Sequence, residues 1–414
     1  MFSGDNDPFE IEKMTALRRD FHAHPELGFE EVRTSGIVAE LLEEAGIEVH
    51  RGLGKTGLVG TLRVGDGKRA IALRADMDAL AMPELADRPY KSGTENVMHA
   101  CGHDGHTVML LAAARHLARE RNFSGTVHFI FQPAEEGRGG AKAMVEEGFF
   151  DRFPVDAVYG LHNMPGLAVD EMAVVAGPQL ASSDSWEVTF KGVGTHGAKP
   201  HLGRDAVTAA GHFLVAVHTI AARIVDPLQP VVISACAVSA GDFKALNVIP
   251  DNVRIGGTAR AYSPAVRDQI EAEIGNVARG VAATFGIEVD YSFLRRIPPV
   301  VNDPQIATRA LRAAQAATGR PVITDFPPST AGDDFAEFGN RVPGTYVWLG
   351  NGPAVDGALH HNSRYDFNDG AILTGARSGQ HWCSRNWRGR AKLSAPLPTP
   401  SLTLPTRGRV GFVA

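Results

Sequence analysis

Three cysteines in 414 residues, Cys101, Cys236 and Cys383, are too few, too widely spaced and odd in number to form a disulfide framework. Their scarcity points to a reducing compartment and makes a cysteine set among histidines a ligand or nucleophile. The chain also lacks positive charge in excess: 41 Lys and Arg against 47 Asp and Glu leave a formal net charge of −6. A nucleic-acid partner, which ordinarily needs a basic face, is therefore not expected. The opening residues Met1-Phe2-Ser3-Gly4-Asp5-Asn6-Asp7 carry neither a basic nor an apolar leader signal. No apolar run approaches the ~20 residues that a bilayer crossing requires. A cytoplasmic protein with no membrane partner is the expectation. With 44% hydrophobic and 21% charged residues the composition is ordinarily globular, and the length is too great for one core, so two domains are expected.

What is present has an α/β rhythm. Two helical patterns fill residues 9–46, the second through Ile37, Val38, Leu41, Leu42 and Ala45 with Gly46 as a stop. Apolar runs at 58–64, 70–75, 127–131 and 157–161 predict buried strands, with a long apolar helix over 106–119. Strands alternating with helices predict a mostly parallel sheet. Near Ala181 the order changes to β-α-β-β-α-β: strands at 186–191, 231–238, 253–261 and 289–293, helices at 205–223 and 264–285. That order predicts a small ferredoxin-like α+β unit inserted into the larger one. A helix over 304–318 and a strand over 345–349 complete the larger unit. The expected division is a discontinuous catalytic domain, 1–180 and 298–380, a lid or dimerisation domain, 181–297, and an atypical, disordered tail, 381–414. A helix begins at 371–376, but from Ser378 onward the apolar period is lost.

The chemistry gathers at strand ends. His99-Ala100-Cys101-Gly102-His103-Asp104-Gly105-His106 places Cys101 and His103 two apart at a helix start, beside an Asp able to orient an imidazole. Cys and His suit zinc and similar transition metals rather than magnesium or calcium. A buried free cysteine near surface histidines is the plainer alternative, and three histidines within eight residues weigh against it. The strand at 127–131 runs into Gln132-Pro133-Ala134-Glu135-Glu136, where one carboxylate can coordinate and the other carry a proton. Taken alone, a Glu-Glu pair is more often a solvated turn. The strand at 157–161 ends on His162-Asn163, and 71–73 runs into Arg74-Ala75-Asp76-Met77-Asp78. Three strand ends releasing metal-capable side chains at one sheet edge are not a cheap coincidence. The Gly-rich turn holding His196 and His201 lacks the Lys-Ser/Thr ending of a phosphate-binding loop.

In this order, from Arg19-Asp20-Phe21-His22-Ala23-His24-Pro25-Glu26-Leu27 through these motifs to Tyr365-Asp366-Phe367-Asn368-Asp369, the sequence resembles the dinuclear-metal aminoacylase and carboxypeptidase family. The branch it looks most similar to holds hippurate hydrolases and auxin–amino acid conjugate hydrolases. The resemblance implies a hydrolase of N-acyl amino acids that uses two divalent transition-metal ions: zinc, manganese, nickel or cobalt. It implies Cys101, His103, Glu136, His162 and His361 as metal ligands, with His360 as the neighbouring alternative to the last. Glu135 would be the general base and later the acid. Asp76 and Asp78 would support the metals. His196 would bind the substrate carbonyl, often across a homodimer made by the small domain, and Asn247 and Arg260 would contact the substrate. The chain departs from the family's Gly-Ser-Glu-Asp-Phe at Ala331-Gly332-Asp333-Asp334-Phe335 and from its closing helix after Arg377.

Rival readings differ in the experiment that separates them. A dipeptidase, a carboxypeptidase or an N-acetyl-diaminopimelate deacetylase would use the same site on another substrate. A cysteine-nucleophile amidase built on Cys101 leaves Glu135, Glu136, His162 and His361 unexplained and would resist chelators. A metal-binding protein without activity, disabled by its tail, would melt at low temperature.

Overall fold

The computed structural model describes residues 7–354 and 357–387. The larger unit opens with α1 (Ile11–Ala23), α2 (Val32–Glu44), β1 (Glu48–Leu53), β2 (Gly57–Val64) and β3 (Ala70–Asp76). It continues through α3 (His103–Glu120), β4 (Gly125–Gln132), α4 (Gly140–Glu146), α5 (Phe149–Arg152), β5 (Ala157–Met164), β6 (Met172–Ala173) and β7 (Gly177–Leu180). The inserted unit comprises β8 (Ser183–Lys191), β9 (Thr195–His196), α6 (Ala206–Val217), β10 (Val231–Ala240), β11 (Val248–Ile249), β12 (Asn252–Ala261), α7 (Pro264–Phe285) and β13 (Glu288–Ile297). The chain then returns through β14 (Val300–Asn302), α8 (Pro304–Thr318), α9 (Ala336–Gly339), β15 (Gly344–Gly350) and α10 (Ile372–Trp387).

The large sheet has seven strands in the order β1-β2-β4-β3-β5-β15-β6. Its centre, β4-β3-β5-β15, is parallel, and β1, β2 and β6 join antiparallel. Both faces are covered, which explains the nearly continuous apolar runs. On β4, Val127, Phe129 and Phe131 enter one core and Ile130 the other; on β5, Tyr159 and Leu161 oppose Val158; on β15, Val347 and Leu349 oppose Tyr346 and Trp348. The first core is closed by α1, α2, α3, α8 and α10, the second by α4, α5 and α9. Because side chains alternate along a strand, Arg74, Asp76, Gln132 and His162 all project to the second face at the carboxyl edge of the parallel strands.

The inserted unit is a four-stranded antiparallel sheet, β10-β12-β8-β13. One face packs on α6 and α7 through Trp186, Val188, Phe190, Phe213, Ile255, Ile270 and Ile274. The two strands that carry the chain across, β7 and β14, pair antiparallel beside each other. Asp184 braces this junction, accepting from Arg267 Nε at 2.9 Å and from the Arg296 backbone N–H at 3.2 Å.

Two expectations change. The last helix does not stop near Arg377: α10 runs to Trp387, with Ser378, Trp382 and Cys383 buried. Its apolar stripe is interrupted in sequence because Ser378 and Gly379 sit where the helix crosses close to its neighbours, and a Cβ at Gly379 would meet Ala113 at 2.9 Å. The tail expected to be disordered lies, from residue 388 onward, outside the described residues. The stretch Ala206–Ile224 is long and apolar enough to cross a membrane by length and composition, which the sequence reading denied. In the fold its Ala206, Ala209, Ala210, Phe213, Val217 and Ile220 face the small sheet. It is one continuous helix only to Val217, with a wider π turn over Ile220–Ile224. Strand β1, half exposed and with little apolar character, had no signal in the sequence.

Candidate metal centre

Cys101, His103, Glu136, His162 and His361 come from four separate segments and meet at the carboxyl edge of the large sheet. Cys101 and His103 flank Gly102, whose φ of +87° turns the chain into α3. Only glycine fits there, since a Cβ would meet Tyr365 Oη at 2.5 Å and Asn163 Nδ2 at 2.6 Å. Glu136 lies four residues beyond β4, and His162 is within β5, in register with Trp348 of β15. His361 has a left-handed φ of +62°, and its backbone N–H donates to Ala100 O at 2.8 Å.

The donor atoms form two overlapping groups that share one sulfur. Cys101, His103 and His162 place their ligand atoms within 4.8 Å of one another, and so do Cys101, Glu136 and His361. The hydrogen bonds around them set which imidazole nitrogen is free. His162 Nδ1 donates to the Asn163 carbonyl at 2.7 Å, which leaves Nε2, 3.5 Å from Cys101 Sγ, as a lone pair. His103 Nδ1 donates to Asp78 Oδ1 at 3.2 Å. His103 Nε2 and Glu136 Oε1 are buried without a hydrogen-bond partner. His361 Nε2 stands 3.3 Å from that same Glu136 oxygen. Buried polar atoms left bare and converging on one point are the mark of cation ligands. A sulfur, three imidazoles and a carboxylate suit zinc-like ions. The residues present therefore fit a pair of transition-metal ions.

His360 is engaged elsewhere, its Nε2 donating to Asn163 Oδ1 at 2.9 Å. Burial pushes its pKa down to about 3. Burial, followed by the neighbouring His106 and His360, likewise holds His162 well below the usual imidazole range, in the neutral form that a ligand needs. Burial and the Glu136 carboxylate push the Cys101 thiol up, the reverse of what an activated nucleophile requires.

The supporting shell is wider than Asp76 and Asp78. Asp78 also accepts the Glu136 backbone N–H at 2.9 Å. Asp76 accepts from His106 Nδ1 at 2.6 Å, while His106 Nε2 accepts the Asn163 backbone N–H at 3.0 Å. The chain Asp76–His106–Asn163 thus holds the end of β5 that carries His162. Arg74, fully buried, donates to Asp76 Oδ2 at 2.6 Å and to Asp333 Oδ1 at 3.0 Å. Asp333 and Asp334 in turn lie with Glu135 in one cluster. Burial first, then Asp333, Glu136 and Asp334, push the Glu135 carboxyl well above the usual carboxylate range. His106 and Arg74 make these bonds; both stood within the quoted motifs but were given no role there. The available signal was spacing: Arg74 and Asp76 are two apart on a buried strand and so share a face.

His196, Asn247 and Arg260 lie on the inserted unit. The Gly197 N–H donates to Asn247 O at 2.6 Å, so His196 and Asn247 are neighbours through the β9–β11 pairing. Arg260 sits apart on β12, donating to Thr258 Oγ1 and to Ala259 O. Among the described residues the bonds of these three run within the inserted unit, as with His196 Nδ1, which accepts the Ala198 N–H at 3.1 Å.

Comparison with known proteins gives the same outline. The profile of peptidase family M20/M25/M40 matches residues 72–384. A hippurate hydrolase of Campylobacter jejuni is 40% identical over 368 residues, covering 89% of this chain and 94% of its own. An N-acetyl-L-cysteine deacetylase of Bacillus subtilis is 36% identical over 362 residues, 87% of this chain and 85% of its own. The crystal structure of the Bacillus subtilis YXEP protein, described as a dinuclear metal binding peptidase, superposes with a TM-score of 0.80 at 32% identity, covering 92% of this chain and 99% of that one.

Proposed function

The chain belongs to peptidase family M20/M25/M40 and is a metal-dependent hydrolase of amide bonds; on that premise we propose that it cleaves N-acyl amino acids, of the hippurate or N-acetyl type, to a carboxylic acid and a free amino acid. The observation that carries this reading is the buried Glu135 carboxylate beside two donor groups that share Cys101. Cys101, His103, His162, Glu136 and His361 would hold two divalent ions, zinc or manganese foremost. When bound, such a pair supplies Lewis acidity toward a carbonyl oxygen and makes water acidic near neutral pH.

The rest is done by the chain. Glu135 takes one proton from the attacking water as the new C–O bond forms. It returns that proton to the amide nitrogen as the C–N bond breaks, so that acid and amine leave with no net change in the enzyme. Its buried, carboxylate-rich surroundings raise its affinity for a proton above that of an ordinary carboxylate, which suits a group that must take one up and carry it. His196 would donate to the developing oxyanion, and Asn247 and Arg260 would hold the amino-acid end. Their placement on the inserted unit, with bonds that stay within it, supports delivery by a second copy. The exposed edge strand β10, with Val232 and Val238 open to solvent, supports a homodimer through the small domain. Three unpaired cysteines support a cytoplasmic setting.

The test is turnover of hippurate, N-acetyl amino acids and dipeptides by purified protein, with metal content followed through chelation. Activity should vanish on chelation and return with Zn²⁺ or Mn²⁺; turnover that survives metal removal would sink the reading. Glu135→Gln should keep its metal and lose ~10²–10⁴-fold in kcat, the usual worth of a general acid–base. Preference for dipeptides over acylated amino acids would shift the substrate class while leaving the site intact.

A further inference from the structure

The turn between α1 and α2, residues 24–31, contributes no ligand, yet it packs on the loop that carries Glu135 and Glu136. Glu31 stands at the N-terminus of α2, where a negative side chain is ordinarily favourable to the free N–H groups. It does not cap. That work is done by Glu26, whose two carboxylate oxygens accept from the Arg33 and Thr34 N–H groups at 2.8 Å each. The Glu31 side chain turns inward instead and is 0% exposed. Its Oε1 accepts the backbone N–H of Ala134 at 2.8 Å, and its Oε2 accepts from Thr56 Oγ1 at 2.5 Å. Burial pushes this carboxyl up to about 7, a penalty that an exposed capping acid would not incur.

The partner is an unusual peptide. Ala134 has a φ of +54°, in the left-handed region that L-residues other than glycine avoid. It immediately precedes Glu135 and Glu136. The packing around it leaves no slack: a Cβ at Gly28 would meet Ala134 Cα at 2.9 Å, and the Gly140 N–H donates to Ala134 O at 3.0 Å. On the far side of Glu135, Asp78 holds the Glu136 N–H at 2.9 Å. The loop is thus tied by one carboxylate on each side of the residue read as the proton carrier. Asp78 also orients His103 and so belongs to the metal shell, whereas the Glu31 carboxylate bonds the Thr56 hydroxyl and the Ala134 peptide and no proposed ligand.

We propose that Glu31 is a positioning residue for the hydrolysis: it holds the Ala134 peptide in its left-handed turn and thereby aims the Glu135 carboxylate at the metal cluster. This rests on the reading of Glu135 as general base. Glu31→Leu, close in size but without an acceptor, should keep the fold and the bound metal while lowering kcat about 10–100-fold, the scale of an ångström's misplacement, with KM changed by no more than about twofold. Glu31→Gln should restore activity, because its amide oxygen still accepts from Ala134 and its NH₂ group donates to the Thr56 hydroxyl. Ala134→Gly, which adopts a positive φ freely, should recover part of the kcat lost in Glu31→Leu when the two are combined.

Metal-loaded Glu31→Leu with unaltered kcat would overturn the proposal, as would a Glu31→Gln enzyme as slow as Glu31→Leu. If Glu31→Leu does not fold, Thr56→Val takes its place, releasing one oxygen of Glu31 without burying anything new. A several-fold lower kcat in that variant supports the positioning role, and an unchanged one overturns it. Glu135→Gln, measured alongside, keeps the two readings apart. If it stays active, the assignment of Glu135 falls; if it is silent while every Glu31 and Thr56 variant turns over normally, only the positioning role falls.

Discussion

At the scale of single residues, protonation is set by what each nitrogen faces rather than by residue type. His162 and His103 each spend Nδ1 on a neighbouring oxygen and present Nε2. His128, on the same sheet but away from the cluster, shows the same control without a metal. It shares a hydrogen bond with Thr61 Oγ1 at 2.9 Å, and burial, helped by Arg63 and His50, lowers its pKa from 6.5 to about 4. The unfolded chain therefore takes up a proton at this site below pH 6.5 while the folded one resists until pH 4. The stability contributed by keeping His128 neutral is complete above pH 6.5 and is lost as pH falls from there to 4. Between pH 7 and 4.5 the loss should be about 2.5 kcal/mol. Denaturant unfolding of metal-free protein at both pH values should show that loss in the wild type and a correspondingly smaller one in His128→Gln. Equal losses would mean that His128 does not titrate as its burial implies.

At the scale of elements, the site is a product of strand ends. β3, β4 and β5 run parallel and stop at one edge, so the residues that follow each of them arrive together whatever their separation in sequence. The closing helix secures that edge from behind. Trp382 of α10 stacks on Tyr159 of β5, three residues before His162, with ring centroids 5.2 Å apart and 18° from parallel. Trp382→Ala should lower stability by about 3–5 kcal/mol, the range for emptying a buried aromatic site. Metal-free protein is the right sample, since bound ions would mask the loss. A variant that unfolds like the wild type would show that the sheet does not depend on the second half of α10. The strand ends were legible in the sequence from the apolar runs before Asp76, Gln132 and His162. The second half of α10 was not, because a helix wedged among α3, α8 and the sheet can be buried on several sides and then shows no simple stripe.

At the scale of the whole molecule, the proposed metal ligands are in one unit and the residues expected to hold the substrate are in the other. If His196 serves the site of a second copy, an active enzyme can be assembled from two silent ones. Glu135→Gln and His196→Ala, each close to inactive alone, should on subunit exchange recover about a quarter of wild-type activity, because half of randomly formed dimers are mixed and each mixed dimer has one complete site. Activity assays after mixing, with dimer content followed by light scattering, make the check. No recovery in a verified mixed dimer would place His196 in its own chain's site or outside catalysis.

Periodicity and motif order were enough to determine the mostly parallel α/β layers and the β-α-β-β-α-β order of the inserted unit, and they put forward the side chains proposed to hold metal. Those features depend on local pattern, which the linear text records directly. Three matters were decided only by the tertiary structure, and the preference for His361 over His360 gained its physical reason there, because Asn163 occupies His360. His106 and Arg74 reach the cluster through bonds to Asp76. Asp333 and Asp334 come to lie beside Glu135 across some two hundred residues of sequence. Glu31 reaches past its own helix to Ala134. In each case the deciding quantity is which atom lies within about 3 Å of which other. Segments far apart in the chain set that distance only when they are packed together, and residue type and spacing do not carry it.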